Sequence, residues 1–361
     1  MAISNGSAEA LLPDVARCID CDAESAVPAF VWTPKGANFA KRLPGRWIGK
    51  PPRFEDAYAV YQCRDCGSAF LLPAYFAEAD ACYQTRRYFE GYYPDNIHIG
   101  GHPNDEEHKF PKLKTKMEAG RARWLVRLAQ RYSNGFPSIP RMCDIGCASG
   151  WLVFGALTEG YDAYGVEISP QAIRAKQRCG EERIHHGPFD EKVFGGAKFD
   201  LVVLMETAEH IQDLGALLRS IRKVLTAEGV LVIVSPNDLA GYRHLVWRRP
   251  WWLIPPIHVR FFSPQSLSRL LEQSDLRLLG VETLGTFGGD LFMVLDWVAR
   301  RLRIGLPSSG VPFKVLRQAF EKAFRPLDWV ICRTVGHSEL VVVAGPARRA
   351  GVADTVPEDA R

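Results

Sequence analysis

The sequence predicts an α/β fold, a parallel sheet flanked by helices, with a small cysteine-bearing module ahead of it. Three observations carry this. Strand-like and helix-like patterns alternate from residue 141 to residue 234, as βαβ units do. Within that stretch, Met142-Cys143-Asp144-Ile145 is an apolar strand ending near an acid. It opens on Gly146-x-x-x-Gly150 and then the apolar helix start Trp151-Leu152. Finally, Cys18-x-x-Cys21 and Cys63-x-x-Cys66 are two knuckles with the same spacing, separated by a long loop.

The elements follow in order. Residues 1–12 read as a tail and 13–75 as the cysteine module, with a Pro/Gly/Lys-rich loop at 34–53. Val60–Cys63 and Ala69–Leu72 alternate like a hairpin. Residues 76–137 form a connector. It holds the aromatic residues Tyr83, Tyr88, Phe89, Tyr92 and Tyr93, preceded by Tyr75 and Phe76. These pack the two parts together or wall a substrate pocket. Residues 112–131 give a helix with Leu113, Met117, Trp124, Leu125 and Leu128 near one face. The main domain spans 138–345. Its pattern places strands at 141–145, 162–166, 182–186, 199–204, 229–234, 276–284 and 338–344, and helices at 150–159, 170–179, 212–226 and 264–274. An insertion at about 288–336 mixes Phe292, Leu295 and Trp297 with Arg300, Arg301 and Arg303. Such an amphipathic stretch makes a lid, a dimer contact or a peripheral membrane contact. Residues 346–361 read as a disordered tail.

A strand that stops at a tight glycine loop lets the backbone approach a ligand. About 20 residues further on, Glu167 closes a second strand, where a ribose diol is gripped. A nucleoside-containing cofactor is therefore expected. The spacing is not the Gly-x-Gly-x-x-Gly of dinucleotide sites, and Asp144 would repel a pyrophosphate. An acid suits a cationic group, such as the amino acid end of S-adenosylmethionine (SAM). The loop resembles motif I of the class I SAM-dependent methyltransferases. Other segments agree in order: Lys198–Met205, Met205-Glu206-Thr207-Ala208-Glu209-His210, Glu228–Asn237 and His258-Val259-Arg260-Phe261-Phe262-Ser263. The resemblance covers roughly residues 138–345. It implies a Rossmann-like seven-stranded sheet with helices on both faces and an antiparallel last strand, plus a small N-terminal zinc ribbon. It also implies SAM held by Asp144, Gly146, Cys147, Ala148 and Gly150, with Glu167 on the ribose. Ile168 and Phe189 would pack the adenine, and Met205 and Glu206 would border the methionyl part.

Methyl transfer from a sulfonium is an in-line substitution that needs a positioned acceptor and, for an O or N nucleophile, a base. His210 is the first candidate base, since imidazole titrates near neutral pH; otherwise it caps the next helix or bonds the backbone. His258 is the second. Trp247, Trp251 and Trp252 before it would stack on a ring or sugar, or enter the core. Glu206, Glu209 and His210 match a group that the ubiquinone-biosynthesis O-methyltransferases link to a divalent metal.

Cys18, Cys21, Cys63 and Cys66 have the spacing of a tetrahedral zinc site. Four thiolates leave no open position, so the expected zinc is structural. The chain has 361 residues and nine cysteines, an odd count that suits reduced thiols in the cytoplasm. Its net charge of +4 does not demand a polyanion. The first residues lack a signal-peptide pattern, and no apolar run reaches membrane-spanning length. The expected function is methyl transfer to a small-molecule acceptor: a sugar, a glycan precursor or a ring metabolite. An RNA base methyltransferase is the alternative; Lys35, Lys41, Arg42, Arg46, Lys50 and Arg53 favour it, and the dispersed charge counts against it. A SAM-binding scaffold without activity is the third reading.

Overall fold

The computed structural model describes residues 12–32, 58–77, 111–237, 258–285 and 339–347, with residues 288, 291–292, 295, 316, 319–328 and 330. The aromatic residues from Tyr83 to Tyr93, the basic loop from Lys35 to Arg53, the tryptophans from Trp247 to Trp252 and most of the 288–336 insertion lie outside the described residues. So do both tails, apart from their inner ends.

The main sheet has seven strands: β4 (Arg141–Ile145), β5 (Asp162–Glu167), β6 (Ile184–His186), β7 (Phe199–Met205), β8 (Leu225–Pro236), β10 (Leu276–Leu284) and β11 (Glu339–Pro346). Their order is β10-β11-β8-β7-β4-β5-β6. β6 through β8 run parallel, and β11 is antiparallel to both its neighbours, as the resemblance implied. Both faces are covered, which explains the unbroken apolar runs. Along β7, Leu201 and Val203 point to one core while Val202 and Leu204 point to the other. The first core is closed by α1 (Pro111–Tyr132), α2 (Trp151–Thr158) and α3 (Ala172–Cys179). The second is closed by α4 (Leu214–Val224) and α5 (Pro264–Glu272).

Some expectations shift. The buried side of α1 is Glu118, Ala119, Ala122, Leu125, Val126, Leu128 and Ala129, whereas Leu113 and Met117 are exposed. The small residues are there because α2 comes very close: a Cβ on Gly155 would lie 2.6 Å from the backbone of Glu118 and Ala119. α4 stops at Val224, and Leu225 is already extended and pairs with Phe199. The pairing resumes at Leu201 with Val230, so the start of the strand expected at 229–234 lies at an irregularity within one longer strand.

A second sheet has the order β1-β2-β3-β9, from β1 (Ala26–Trp32), β2 (Tyr58–Cys63), β3 (Ala69–Leu71) and β9 (Arg260–Phe261). Its first three strands belong to the cysteine module. The fourth comes from the main domain and pairs Phe261 with Ala69 and Arg260 with Phe70. Phe261 is buried in the module's core with Tyr61, Phe70 and Leu71. No helix among the described residues is long and apolar enough to cross a membrane.

Candidate active site

β4 lies where the strand order reverses, with β5 and β6 on one side and β7 and β8 on the other. Open α/β sheets bind ligands outside the carboxyl ends of their strands at such a point. The loop after β4 holds Gly146 at φ +82° and Gly150 at φ +77°, with Ala148 at φ +47° between them. A Cβ on Gly146 would meet Thr207 Oγ1 at 2.5 Å. The loop is thus pressed onto the segment that follows β7.

The loop's N–H groups are turned inward. Gly146 and Cys147 both donate to the Val166 carbonyl, at 2.8 and 3.0 Å, and Gly150 donates to Cys147 at 2.8 Å. Ala148 donates to Glu167 Oε2 at 2.8 Å, while Ser169 donates to Oε1 at 2.7 Å. Those four loop donors are taken, so they do not form the N–H cradle that an anion needs. Acids dominate instead. Asp144 is buried, and its Oδ1 has no hydrogen-bond partner among the described residues. Burial pushes its carboxyl up to about 7, the charges of Glu118 and Glu167 push the same way, and Arg121 opposes them. Glu118, on α1, is buried and paired with Lys114 at 3.0 Å and Arg121 at 2.8 Å. A group of buried carboxyls suits a cationic ligand.

Glu167 is anchored by two backbone N–H groups. Each carboxylate oxygen keeps a further lone pair for a diol. Ile168 beside it is 66% exposed, an apolar side chain open to a flat ring. Phe189 is half-buried and packs against the α4–α5 core. Met205 is half-buried and Glu206 is exposed at φ +51°. Arg178 stacks over Trp151 at 3.9 Å and donates to the Ser149 carbonyl, holding the loop from behind.

A second cluster of polar side chains, around both histidines, is built from two segments. Ala208–His210 forms a short 3-10 turn after β7, and His258 lies just before β9. The rings of His210 and His258 meet edge to face, 4.8 Å apart. Glu209 is buried and accepts from Ser235 Oγ at 3.0 Å; its other oxygen lies 3.9 Å from His210 Nε2. Burial, then the neighbouring His210, holds His258 well below the ordinary imidazole range. The helix-cap reading of His210 does not hold, because Asp213 caps α4 by accepting from Ala216 N at 2.8 Å. Glu206, Glu209 and His210 are not the group brought together. The ligand-bearing atoms of Glu209, His210 and His258 lie within 4.8 Å of one another, and Glu206 stands outside.

Cys18, Cys21, Cys63 and Cys66 converge, with all four sulfurs within 4.8 Å of one another. Cys18 and Cys66 are 3.5 Å apart, and Cys21 and Cys63 are 3.6 Å apart. Tetrahedral zinc with four sulfur ligands sets about 3.8 Å between sulfurs. None of the four is in a disulfide. Backbone N–H groups of Asp20 and Cys66 point at Cys18 and Cys63 sulfur, at 3.4 and 3.5 Å. The shared hydrogen bond lowers the Cys66 thiol and raises that of Cys18, and burial raises Cys21.

Sequence reasoning singled out the loop, Glu167, both histidines and the four cysteines. It missed Glu118 and Thr207. Glu118 left one trace, the i, i+3 and i, i+4 spacing of Lys114, Glu118 and Arg121 on a helix.

The seven-stranded mixed sheet and its acid-lined glycine loop define a class I SAM-dependent methyltransferase domain. The comparisons agree: residues 113–281 match the family model described as a methyltransferase domain. The ubiquinone biosynthesis O-methyltransferase of Azorhizobium caulinodans is 30% identical over 102 residues, covering 27% of this chain and 40% of that enzyme. Its counterpart in Bartonella quintana is 25% identical over 154 residues, covering 38% and 61%. The chain thus spans about half the length of these curated relatives. A solved SAM-dependent methyltransferase from Archaeoglobus fulgidus aligns at TM-score 0.39 and 20% identity, covering 66% of this chain and 96% of that one.

Proposed function

We propose that this chain methylates a small-molecule acceptor with SAM as donor, and that zinc bound by its four cysteines is structural. The observation that carries the donor assignment is the buried Asp144 with an oxygen lacking a partner, beneath a glycine loop whose N–H groups are already used. Asp144, with Glu118 behind it, would hold the donor's ammonium group. Glu167 would hold the ribose hydroxyls, and Ile168 would cover one face of the adenine. Bound there, the sulfonium supplies an electrophilic methyl group. His210 would take the acceptor's proton at an imidazole nitrogen. Glu209 lies where it can stabilise the imidazolium that results, and His258 stays neutral beside it. Cys18, Cys21, Cys63 and Cys66 would hold zinc in a closed shell, which supplies cross-linking rather than chemistry.

A sugar, a glycan precursor or a ring metabolite remains the proposed acceptor class, and the 288–336 insertion a proposed lid or peripheral membrane contact. For the insertion, the exposure of Leu295, Leu316, Leu327 and Val330 is the supporting observation. Calorimetry with SAM and with S-adenosylhomocysteine (SAH) tests the donor site; absence of heat from both, on folded protein, ends the proposal. Labelled SAM incubated with a metabolite extract tests turnover. His210→Ala should lower label transfer by about 100-fold or more while SAH affinity stays unchanged. Unchanged transfer would remove His210 as the base.

A further inference from the structure

The cysteine module touches the acceptor side through one buried ion pair. Asp20 sits inside the first knuckle, between Cys18 and Cys21. Its carboxylate pairs with Arg260, and their side chains are 6% and 2% exposed. The same guanidinium donates from Nε to the Ile211 carbonyl at 2.8 Å and from Nη2 to the Gln212 carbonyl at 2.6 Å. Next to it, Val259 N–H donates to the Glu209 carbonyl at 2.9 Å, and the Val259 carbonyl accepts from Leu71 N at 2.9 Å. The backbone on both sides of His210 is therefore tied to the strand that follows His258, and that strand is tied to the module.

We propose that Asp20 and Arg260 are a positioning pair through which the four-cysteine knuckle holds His210 and His258 in register on the acceptor side. The inference rests on the reading of that side as the place of methyl acceptance. The donor loop after β4 meets this segment at Thr207 and makes no hydrogen bond to Asp20 or Arg260, so the pair acts on turnover before donor binding. A guanidinium suits the task because its planar fork reaches three acceptors at once, which an ammonium cannot match. Asp20 supplies the charge that lets Arg260 stay buried; without it the cation draws away toward water. The knuckle fixes Asp20, since both flanking cysteines belong to the cluster. The metal-loaded module would therefore act as a brace for the histidine pair as well as a folded unit.

Full-length Asp20→Asn and Arg260→Lys test this. Arg269→Ala is the control, because Arg269 donates to the Asp65 carbonyl in the other knuckle and touches neither histidine segment. Both test variants should keep four-cysteine zinc by elemental analysis and bind SAH within about twofold of the parent, while the plateau rate of label transfer from SAM into a metabolite extract falls about tenfold or more. The SAM concentration at half-plateau should not move. Exchange of the Val259 amide should quicken about tenfold in both variants and not in the control. Plateau and Val259 exchange at the parent's values would overturn the inference. So would a fall in SAH affinity that tracks the fall in plateau, because that is loss of fold and not of position. Should Arg260→Lys fail to fold, Asp20→Asn decides, since it keeps the arginine side chain and removes only its counter-charge. If the parent binds no SAH, or the extract yields no labelled product, the functional reading is what fails. Val259 exchange in Asp20→Asn then decides the coupling by itself.

Discussion

In the proposed donor site, Asp144 trades stability for a ligand. Its carboxyl is raised from 3.8 to about 7, first by burial and then by Glu118 and Glu167. A three-unit rise corresponds to about 4 kcal/mol against ionisation in the free fold. An acid whose folded value exceeds its unfolded one binds more protons when folded, so stability falls as pH rises from about 4 to about 7 and stays lower above. Asp144→Asn removes that loss. It should raise the thermal midpoint at pH 8 and leave it nearly unchanged at pH 4, by scanning calorimetry. The same variant should weaken SAH binding about tenfold or more, since the ammonium loses its counter-charge. The sign for the parent is opposite in binding. SAH affinity should drop as pH falls below about 7, because the donor's cation meets a neutral acid. A flat affinity from pH 6 to pH 8.5 by calorimetry would remove Asp144 from the ammonium site. Asp144 itself was legible from its place before Gly146. Its raised carboxyl was not, because that depends first on burial in the folded core and then on Glu118, a residue on a helix that precedes it by 26 positions in the chain.

At the scale of elements, the proposed donor loop gets its shape because one strand end, one turn and one helix start are all constrained at Gly146. Its φ of +82° is a left-handed conformation, and the space a Cβ needs is filled by Thr207 at 2.5–3.2 Å. Gly146→Ala should therefore destabilise by about 1–3 kcal/mol, read as a lower denaturation midpoint. It should also abolish SAH heat, because the loop must rise off the segment after β7. A variant that binds SAH normally would show that the loop does not set the donor site. The strands of the parallel sheet were readable because both of their faces are buried and the runs are apolar throughout. β9 was not, because it has only two residues and its partner β3 is nearly 190 residues away. Local pattern cannot announce such a pairing. The α4–β8 boundary was misjudged for a related reason. Leu225 is as apolar as the helix before it, and only its pairing with Phe199 makes it a strand.

At the scale of the molecule, two units of different size are joined by β9. The seven-stranded sheet is sealed on both faces by helices. The cysteine module has one small core, around Tyr61, Phe70 and Leu71, and borrows Phe261 from the larger domain to complete it. A core of that size does not hold a fold alone, so zinc binding energy should be folding energy for this part. Chelation at neutral pH should therefore open β1–β3 while leaving the seven-stranded sheet folded. Hydrogen exchange should show the amides of Val60, Tyr61 and Leu71 losing protection and those of Val202, Val203 and Ile233 keeping it. SAH should still bind, because the donor loop rests on β4, β5 and β7, far in the topology from the module. Label transfer should fall, because the loop carrying His258 loses its support at Leu71. Acid should act like the chelator, since protons compete with the metal for thiolates. Protection at Tyr61 that survives complete metal removal would show that the module folds by its own packing, and the cysteines would then need another explanation.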